Sequence, residues 1–224
     1  MIGSGHRGGM SLAAGCPRCS TPVARHGTDG RYSCPEHGVV RPLWRPVVPS
    51  YDGFVDLLAL AESFPTHLPW PLGPGWQVTD FAVVPGAATA VSLAGTSEQD
   101  GPVEITVVTE ESGVGLGPRI ARTGEPGPEI GEGPPSARVK VEGMPVQLWP
   151  MSLFPVDTGE QAGEWDRSVL VGEAGGRWLW LVLRPASAVL LVGGASPSEW
   201  ILRDAARLGM ALIELPFGDA GSTW

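Results

Sequence analysis

Cys16-Pro17-Arg18-Cys19 and, after an interval of 14 residues, Cys34-Pro35-Glu36-His37 are two short pairs of metal-ligand residue types that contain every cysteine of the chain. A structural zinc ion takes four soft or borderline donors in a tetrahedron, and a two-residue gap lets each pair bind from one tight turn. Cys16, Cys19, Cys34 and His37 meet that demand. Between the pairs, Asp29-Gly30 is a hairpin signal, so both pairs are expected at the same end of a ribbon. Gly38 permits the close backbone turn of such a knuckle, whereas Ser20 after the first pair is less permissive. His26 is a rival fourth ligand, disfavoured because it falls in the loop at the far end of the hairpin. Four protein ligands leave no open position, and no His-x-Glu arrangement supplies a base. The expectation is one structural zinc and no catalytic metal.

The 224 residues suffice for one ordinary core with a small appended module. A hydrophobic fraction of 42%, with nine tryptophans and 17% charged residues, supports a packed interior rather than disorder. With 32 glycines and 23 prolines the chain reads as rich in turns, with short strands and few helices. Six arginines against Asp29 and Glu36 give residues 1–45 a charge of +4, which leaves −13 for the remainder of the net −9. Nucleic acid could therefore meet only the basic module. Small residues before Cys16 imitate a lipoprotein cleavage site, but the required apolar run is missing and Arg7 stands in its place. No span reaches the roughly 18 apolar residues of a membrane helix. The reading is a cytoplasmic protein without a disulfide framework and without a membrane partner.

The expected organisation is a disordered leader (1–12), a zinc-ribbon-like module (13–48), a linker helix (49–69), an α+β domain (70–217) and a tail (218–224). Within the module a strand is expected near 21–24. Ser50 can cap a helix over 51–63, with Phe54, Leu57, Leu58 and Ala61 on one face and Pro65 as its stop. From Trp76 onward the pattern is strand at 77–84, 88–95, 103–110, 137–141, 145–149, 168–172, 177–183 and 188–192. Glu142-Gly143 and Gly175-Gly176 supply tight turns, so their flanking strands should form antiparallel hairpins. Residues 123–136, rich in Pro, Gly and Glu, read as a mobile loop. Ser196, Pro197 and Glu199 open a helix expected to run to Leu208, with Gly209 after its end and a closing strand at 211–215. The fold class is α+β: an N-terminal zinc ribbon, then a mostly antiparallel sheet with one or two packed helices.

A second candidate site is the glycine loop after Glu110-Glu111, in which the amides of Gly113, Gly115 and Gly117 with Arg119 could approach an anion. It matches neither a dinucleotide fingerprint nor a P-loop, and an ordinary glycine turn is the favoured reading. In Trp178-Leu179-Trp180-Leu181-Val182-Leu183 the tryptophans share one face and leucines fill the other, as in a central strand covered on both sides. No nucleophile elbow is present, and all four histidines precede the body, so no catalytic residues are assigned.

Several runs, in this order, resemble an uncharacterised family of actinobacterial proteins with an N-terminal zinc-ribbon-like segment. They are the two ligand pairs, Leu68-Pro69-Trp70-Pro71-Leu72, the stretch from Glu110 to Gly117, Leu148-Trp149, and Val171-Gly172-Glu173-Ala174 leading into Trp178 and Trp180. The resemblance implies that ribbon and body form one unit, and it implies no activity. Two functions follow as expectations. The favoured one is a non-enzymatic interaction or regulatory protein whose ribbon offers Arg18, Arg25, Arg31, Arg41 and Arg45 to a protein partner, with nucleic acid less favoured. The alternative is a body that binds or transforms an anionic small molecule at Gly113 to Gly117 and Arg119.

Overall fold

The computed structural model describes residues 12–26, 30–123, 133–151, 166–193, 200–218 and 224. In chain order the strands are β1 (Leu12–Gly15), β2 (Ala24–His26), β3 (Arg31–Cys34), β4 (Gly38–Val40) and β5 (Leu43–Pro46). Helix α1 (Tyr51–Ala61) follows, then β6 (His67–Pro69), β7 (Gln77–Val84), β8 (Ala88–Ser97) and β9 (Gly101–Glu110). Next come helix α2 (Leu116–Ala121), β10 (Ala137–Val141), β11 (Met144–Pro150), β12 (Ser168–Ala174), β13 (Arg177–Arg184), a short α3 (Leu190–Gly193) and β14 (Trp200–Asp204). Sheet predominates and helices are few, as an α+β reading requires.

Eleven strands form one sheet in the order β1-β5-β7-β8-β9-β13-β12-β11-β10-β14-β6, and β2-β3-β4 form a second, small sheet. Among the described strands every ladder is antiparallel except that of β10 with β14. The hairpin turns work as their sequences demand: Glu142, Gly143, Gly175 and Gly176 all adopt positive φ, the conformation of a type I′ turn. The β11–β12 ladder is short. Only Trp149↔Val171 and Pro150↔Leu170 pair there, and a Cβ on Gly172 would lie 2.2 Å from the Gln147 carbonyl oxygen.

Strand alternation distributes the apolar residues over both faces. On one face Ile105, Val107, Leu179, Leu181 and Leu183 meet Val139, Leu148 and Leu202 from the folded-over half. Farther along that face, Phe81, Val83, Val91 and Leu93 receive Phe54, Leu57 and Ala61 of α1 and Leu68 of β6. On the opposite face Val108, Val169, Val171, Trp180 and Val182 are covered by Leu116, Ile120 and Ala121 of α2. Trp180 is fully buried in the middle of the sheet, so the tryptophan-leucine run is a central strand covered on both sides. α1 forms where its capping pattern places it, with the Ser50 hydroxyl accepting from the Gly53 amide.

Several expectations are corrected. The first seven body strands form, but residues 188–192 do not extend. Ala186–Val189 is a 3-10 turn that runs into α3, opened by the Ala188 amide donating to the Pro185 carbonyl. A short apolar run has no period long enough to separate strand from helix. The helix expected to Leu208 is also absent over the described part. Residues Trp200–Asp204 are β14, hydrogen-bonded on both sides to β10 and β6, with Leu202 and Asp204 turned in and Ile201 and Arg203 turned out. Two sheet neighbours outweigh local capping signals, and residues 196–199 that carry those signals lie outside the described set. Gly209–Glu214 is a 3-10 turn in place of the closing strand. In the N-terminal module the strand falls at Ala24–His26 rather than 21–24.

The expected boundary at 48 does not separate two sheets. β1 and β5 pair with each other and Trp44 pairs with Val83 of β7, so the segment around the small sheet is the edge of the large one. Residues 1–11 and 124–132, read as leader and as part of a mobile loop, lie outside the described residues. At the other end, the Gly218 amide donates to the Val78 carbonyl at 2.9 Å and Trp224 packs on the body, so the described residues of the expected tail lie against the sheet.

Candidate metal centre and its support

The chain leaves the large sheet after Gly15, forms the first knuckle, runs out along β2 and back along β3, and forms the second knuckle before β4. The β2–β3 register, His26↔Arg31, puts His26 and Arg31 at the far end and both Cys/His pairs at the near end. At that near end the ligand atoms of Cys16, Cys19, Cys34 and His37 all lie within 4.8 Å of one another. Cys19 Sγ and Cys34 Sγ are 3.6 Å apart, and His37 Nδ1 is 3.6 Å from both Cys16 Sγ and Cys34 Sγ. The Arg18 amide donates to Cys16 Sγ at 3.4 Å, as expected where a knuckle supports a thiolate, and Gly38 takes φ +66 to complete the second turn. Thr21 donates to Glu36 at 2.9 Å and ties the two knuckles together. His26 stands at the other end of the hairpin and takes no part.

This set could hold a metal ion, and among the described residues no other group of three or more His, Cys, Asp or Glu side chains is so arranged. Burial raises the Cys16 thiol to about 11. At Cys34 burial also pushes upward, but the His37 ring and the Glu36 and His37 amides outweigh it and leave the thiol at about 6.

The glycine loop lies against this cluster. Arg18 donates from Nη2 to the Gly113 carbonyl at 2.5 Å and from Nε to that of Val114 at 3.3 Å, and Arg119 donates to the Cys16 carbonyl. Gly115 sits at φ +87, where a Cβ would come within 2.8 Å of Arg18 Cγ. Glycine is thereby required twice, by conformation and by close approach. The loop amides have an anion within the chain: Glu110 Oε2 accepts from Leu116 at 2.8 Å and from Gly117 at 3.2 Å. Burial raises the Glu110 pKa against the pull of those amides. Gly117 rests on the Trp180 indole, with no room for a Cβ. The sequence candidate therefore splits: Gly113 and Arg119 grip the cysteine module, while the Gly117 amide caps onto Glu110.

A second tether was not read from the sequence. Arg45 on β5 pairs with the buried Asp80, donates to the Trp224 main-chain oxygen at 2.9 Å and stacks on its indole at 4.1 Å. Trp224 in turn donates to Ser92 at 3.0 Å. No local pattern announces these contacts, which join residues 35 to 179 positions apart. Of the five module arginines, Arg18 and Arg45 bond to the body, and Arg18, Arg25, Arg31 and Arg41 are exposed.

A cysteine-histidine cluster on the edge of a folded, mostly antiparallel sheet defines a candidate metal-binding α+β protein. The chain belongs to a family of unknown function, DUF6758, whose match spans residues 10–223. Comparison with curated proteins and with solved structures gives no match. Among the described residues no helix is long and apolar enough to cross a membrane.

Proposed function

We propose that the Cys16, Cys19, Cys34 and His37 cluster binds one structural zinc, and that the chain is a non-enzymatic interaction protein whose zinc ribbon is its docking module. The observation that carries the metal assignment is the spacing of the donors. A tetrahedral zinc with Zn–S near 2.3 Å and Zn–N near 2.05 Å has edges of about 3.8 Å between sulfurs and about 3.5 Å between sulfur and nitrogen. One sulfur–sulfur and two sulfur–nitrogen contacts at 3.6 Å lie close to those edges, and all four donor atoms fall within 4.8 Å of one another. Three thiolates and an imidazole select zinc over hard cations, which prefer oxygen. A reduced thiol set of this kind also suits the cytoplasm.

The docking role is supported by side chains left uncovered on and beside the small sheet. Arg25, Arg31 and Arg41 are exposed, as are Val39 at 71% and Val47 at 70%. Basic and apolar side chains together fit a protein partner better than a nucleic-acid backbone, which asks for charge without exposed valines. Zinc stoichiometry is tested by native mass spectrometry: one zinc per chain, lost in Cys34→Ser. A chain purified metal-free with β2–β4 fully protected from amide exchange would overturn the metal reading. Docking is tested by cross-linking in cells with Val39→Asp and Arg25→Ala. Partners lost from these variants while zinc is retained support it, and an unchanged partner set overturns it.

A further inference from the structure

One row of the large sheet is polar on the face that otherwise carries Ala82, Ala90, Val108 and Val182. Asp80, Ser92 and Thr106 are register partners on β7, β8 and β9, and all three are buried. Small apolar residues would close that row without the cost of drying polar groups, so the hydroxyls there need a use. An indole supplies it. Trp224 Nε1 donates to Ser92 Oγ at 3.0 Å, and Ser92 Oγ shares a hydrogen bond with Thr106 Oγ1 at 2.8 Å.

Two guanidiniums face the same ring. Arg45 Cζ lies 4.1 Å and Arg119 Cζ 5.7 Å from its centroid, both within the range of a cation–π contact. Arg45 Nη1 also donates to the Trp224 main-chain oxygen at 2.9 Å. Ring face, ring N–H and main-chain oxygen of one residue are therefore each met by a directed contact. None of the three receiving side chains owes its position to Trp224 alone: Arg45 is held by Asp80, Arg119 by the Cys16 carbonyl and Ser92 by Thr106. A recess with walls fixed in this way is preorganised, and a matching group enters it without a further ordering cost. Trp224 itself is only partly buried, so its seat opens to solvent.

We propose that Arg45, Arg119 and Ser92 form a binding site for a tryptophan side chain, filled here by Trp224 and open to exchange with a ligand of the same indole chemistry. Arg45 lies on β5 and Arg119 holds Cys16, so an occupied site ties the cysteine module to the body.

The test uses the full chain carrying Trp224→Ala, titrated with N-acetyl-L-tryptophanamide by calorimetry, with N-acetyl-L-leucinamide as control. Saturable binding of the tryptophan probe is expected, about tenfold or more weaker in wild type, where Trp224 holds the seat. The 1-methylindole form of the probe, which lacks the N–H, should bind several-fold more weakly, and Ser92→Ala added to Trp224→Ala should abolish that difference. Trp224→Phe keeps a ring over the guanidiniums and keeps the test informative if Trp224→Ala does not fold; it should bind the tryptophan probe more tightly than wild type does. A parallel titration with L-tryptophan separates the sources: tighter binding than the amide assigns the free amino acid, and equal or weaker binding assigns a tryptophan within a peptide. No saturable binding by whichever variant folds, or equal affinity for the methylated or the leucine probe, overturns the proposal. Neither arm reads zinc or the exposed Val39 and Arg25, so this site and the docking ribbon fail independently.

Discussion

The small sheet β2–β4 and the central strands β9, β13 and β12 are both antiparallel, yet different forces hold them. In β13 five consecutive residues from Leu179 to Leu183 are buried, fed by apolar neighbours on two faces. In β2 no residue is buried, and across β2–β4 only Cys34 is. Three strands of three or four residues cannot enclose a core of their own. Their order falls to the cysteine-histidine cluster, to the grip of Arg18 on the Gly113 and Val114 carbonyls, and to that of Arg119 on the Cys16 carbonyl. One region is therefore held by its own core, and the other by contacts to the body and, on the proposed reading, by a bound metal.

The largest test of that contrast is metal removal. Cys34→Ser or a strong chelator should remove folding free energy on the order of 10 kcal/mol from the ribbon. Amide exchange should accelerate across β2–β4 and stay slow in β9 and β13; protection kept in both regions would erase the distinction. The converse is Leu181→Ala, which opens a cavity in a fully buried site and should cost the body about 2–5 kcal/mol by denaturant unfolding. Zinc stoichiometry of the folded fraction should not change.

Gly115→Ala tests the seam between the regions. Left-handed backbone and the Arg18 contact together should cost about 1–3 kcal/mol. The effect is expected as faster exchange in the ribbon and in α2 together; a change confined to one side would break the coupling. Titration sharpens the same comparison with smaller effects. Glu110 keeps its proton in the folded state at pH values where the unfolded chain has lost it, because burial raises its pKa. Its contribution to stability is present below about 4.5 and is lost as pH rises through the raised folded value. Glu110→Gln, which can still accept both amides, should flatten that slope in pH-dependent thermal melts.

His67 acts in the opposite sense. Buried and hydrogen-bonded to Thr109 at 2.9 Å, it has a pKa lowered from 6.5, chiefly by burial. Stability should decline as pH falls below 6.5 toward the lowered folded value, and His67→Gln should remove that decline. The smallest effect is expected at Arg25→Ala on the exposed ribbon, within about 0.5 kcal/mol of wild type. A larger loss would show that the ribbon's outer face is structural.

Much of the body was legible because its signals are local. Period-two runs located seven strands, Ser50 located the start of α1, and the positive-φ pairs at residues 142–143 and 175–176 located two hairpin turns. β14 was misread because Ser196, Pro197, Glu199 and Gly209 spell a helix locally, while residues 200–204 find sheet partners on two sides. The glycine loop was recognised as special, but its partners Glu110 and Arg18 were not. An anion receptor and a self-satisfied turn carry the same backbone signature, and only the position of a buried carboxylate separates them.

The sequence by itself determined the four members of the cysteine-histidine cluster, their pairing by two-residue gaps, the hairpin that brings the pairs to one end, and the alternation that makes Trp180 a core residue. All of these rest on interactions within a turn, a hairpin or a strand, where spacing along the chain dictates spacing in space. Only the tertiary structure decided that β1 and β5 make the module an edge of the large sheet. It alone placed Arg18 on a carbonyl 95 residues away and seated Trp224 on Arg45 and Ser92. Those contacts arise when a twisted sheet folds over itself, and the free energy that selects them is shared among many distant residues.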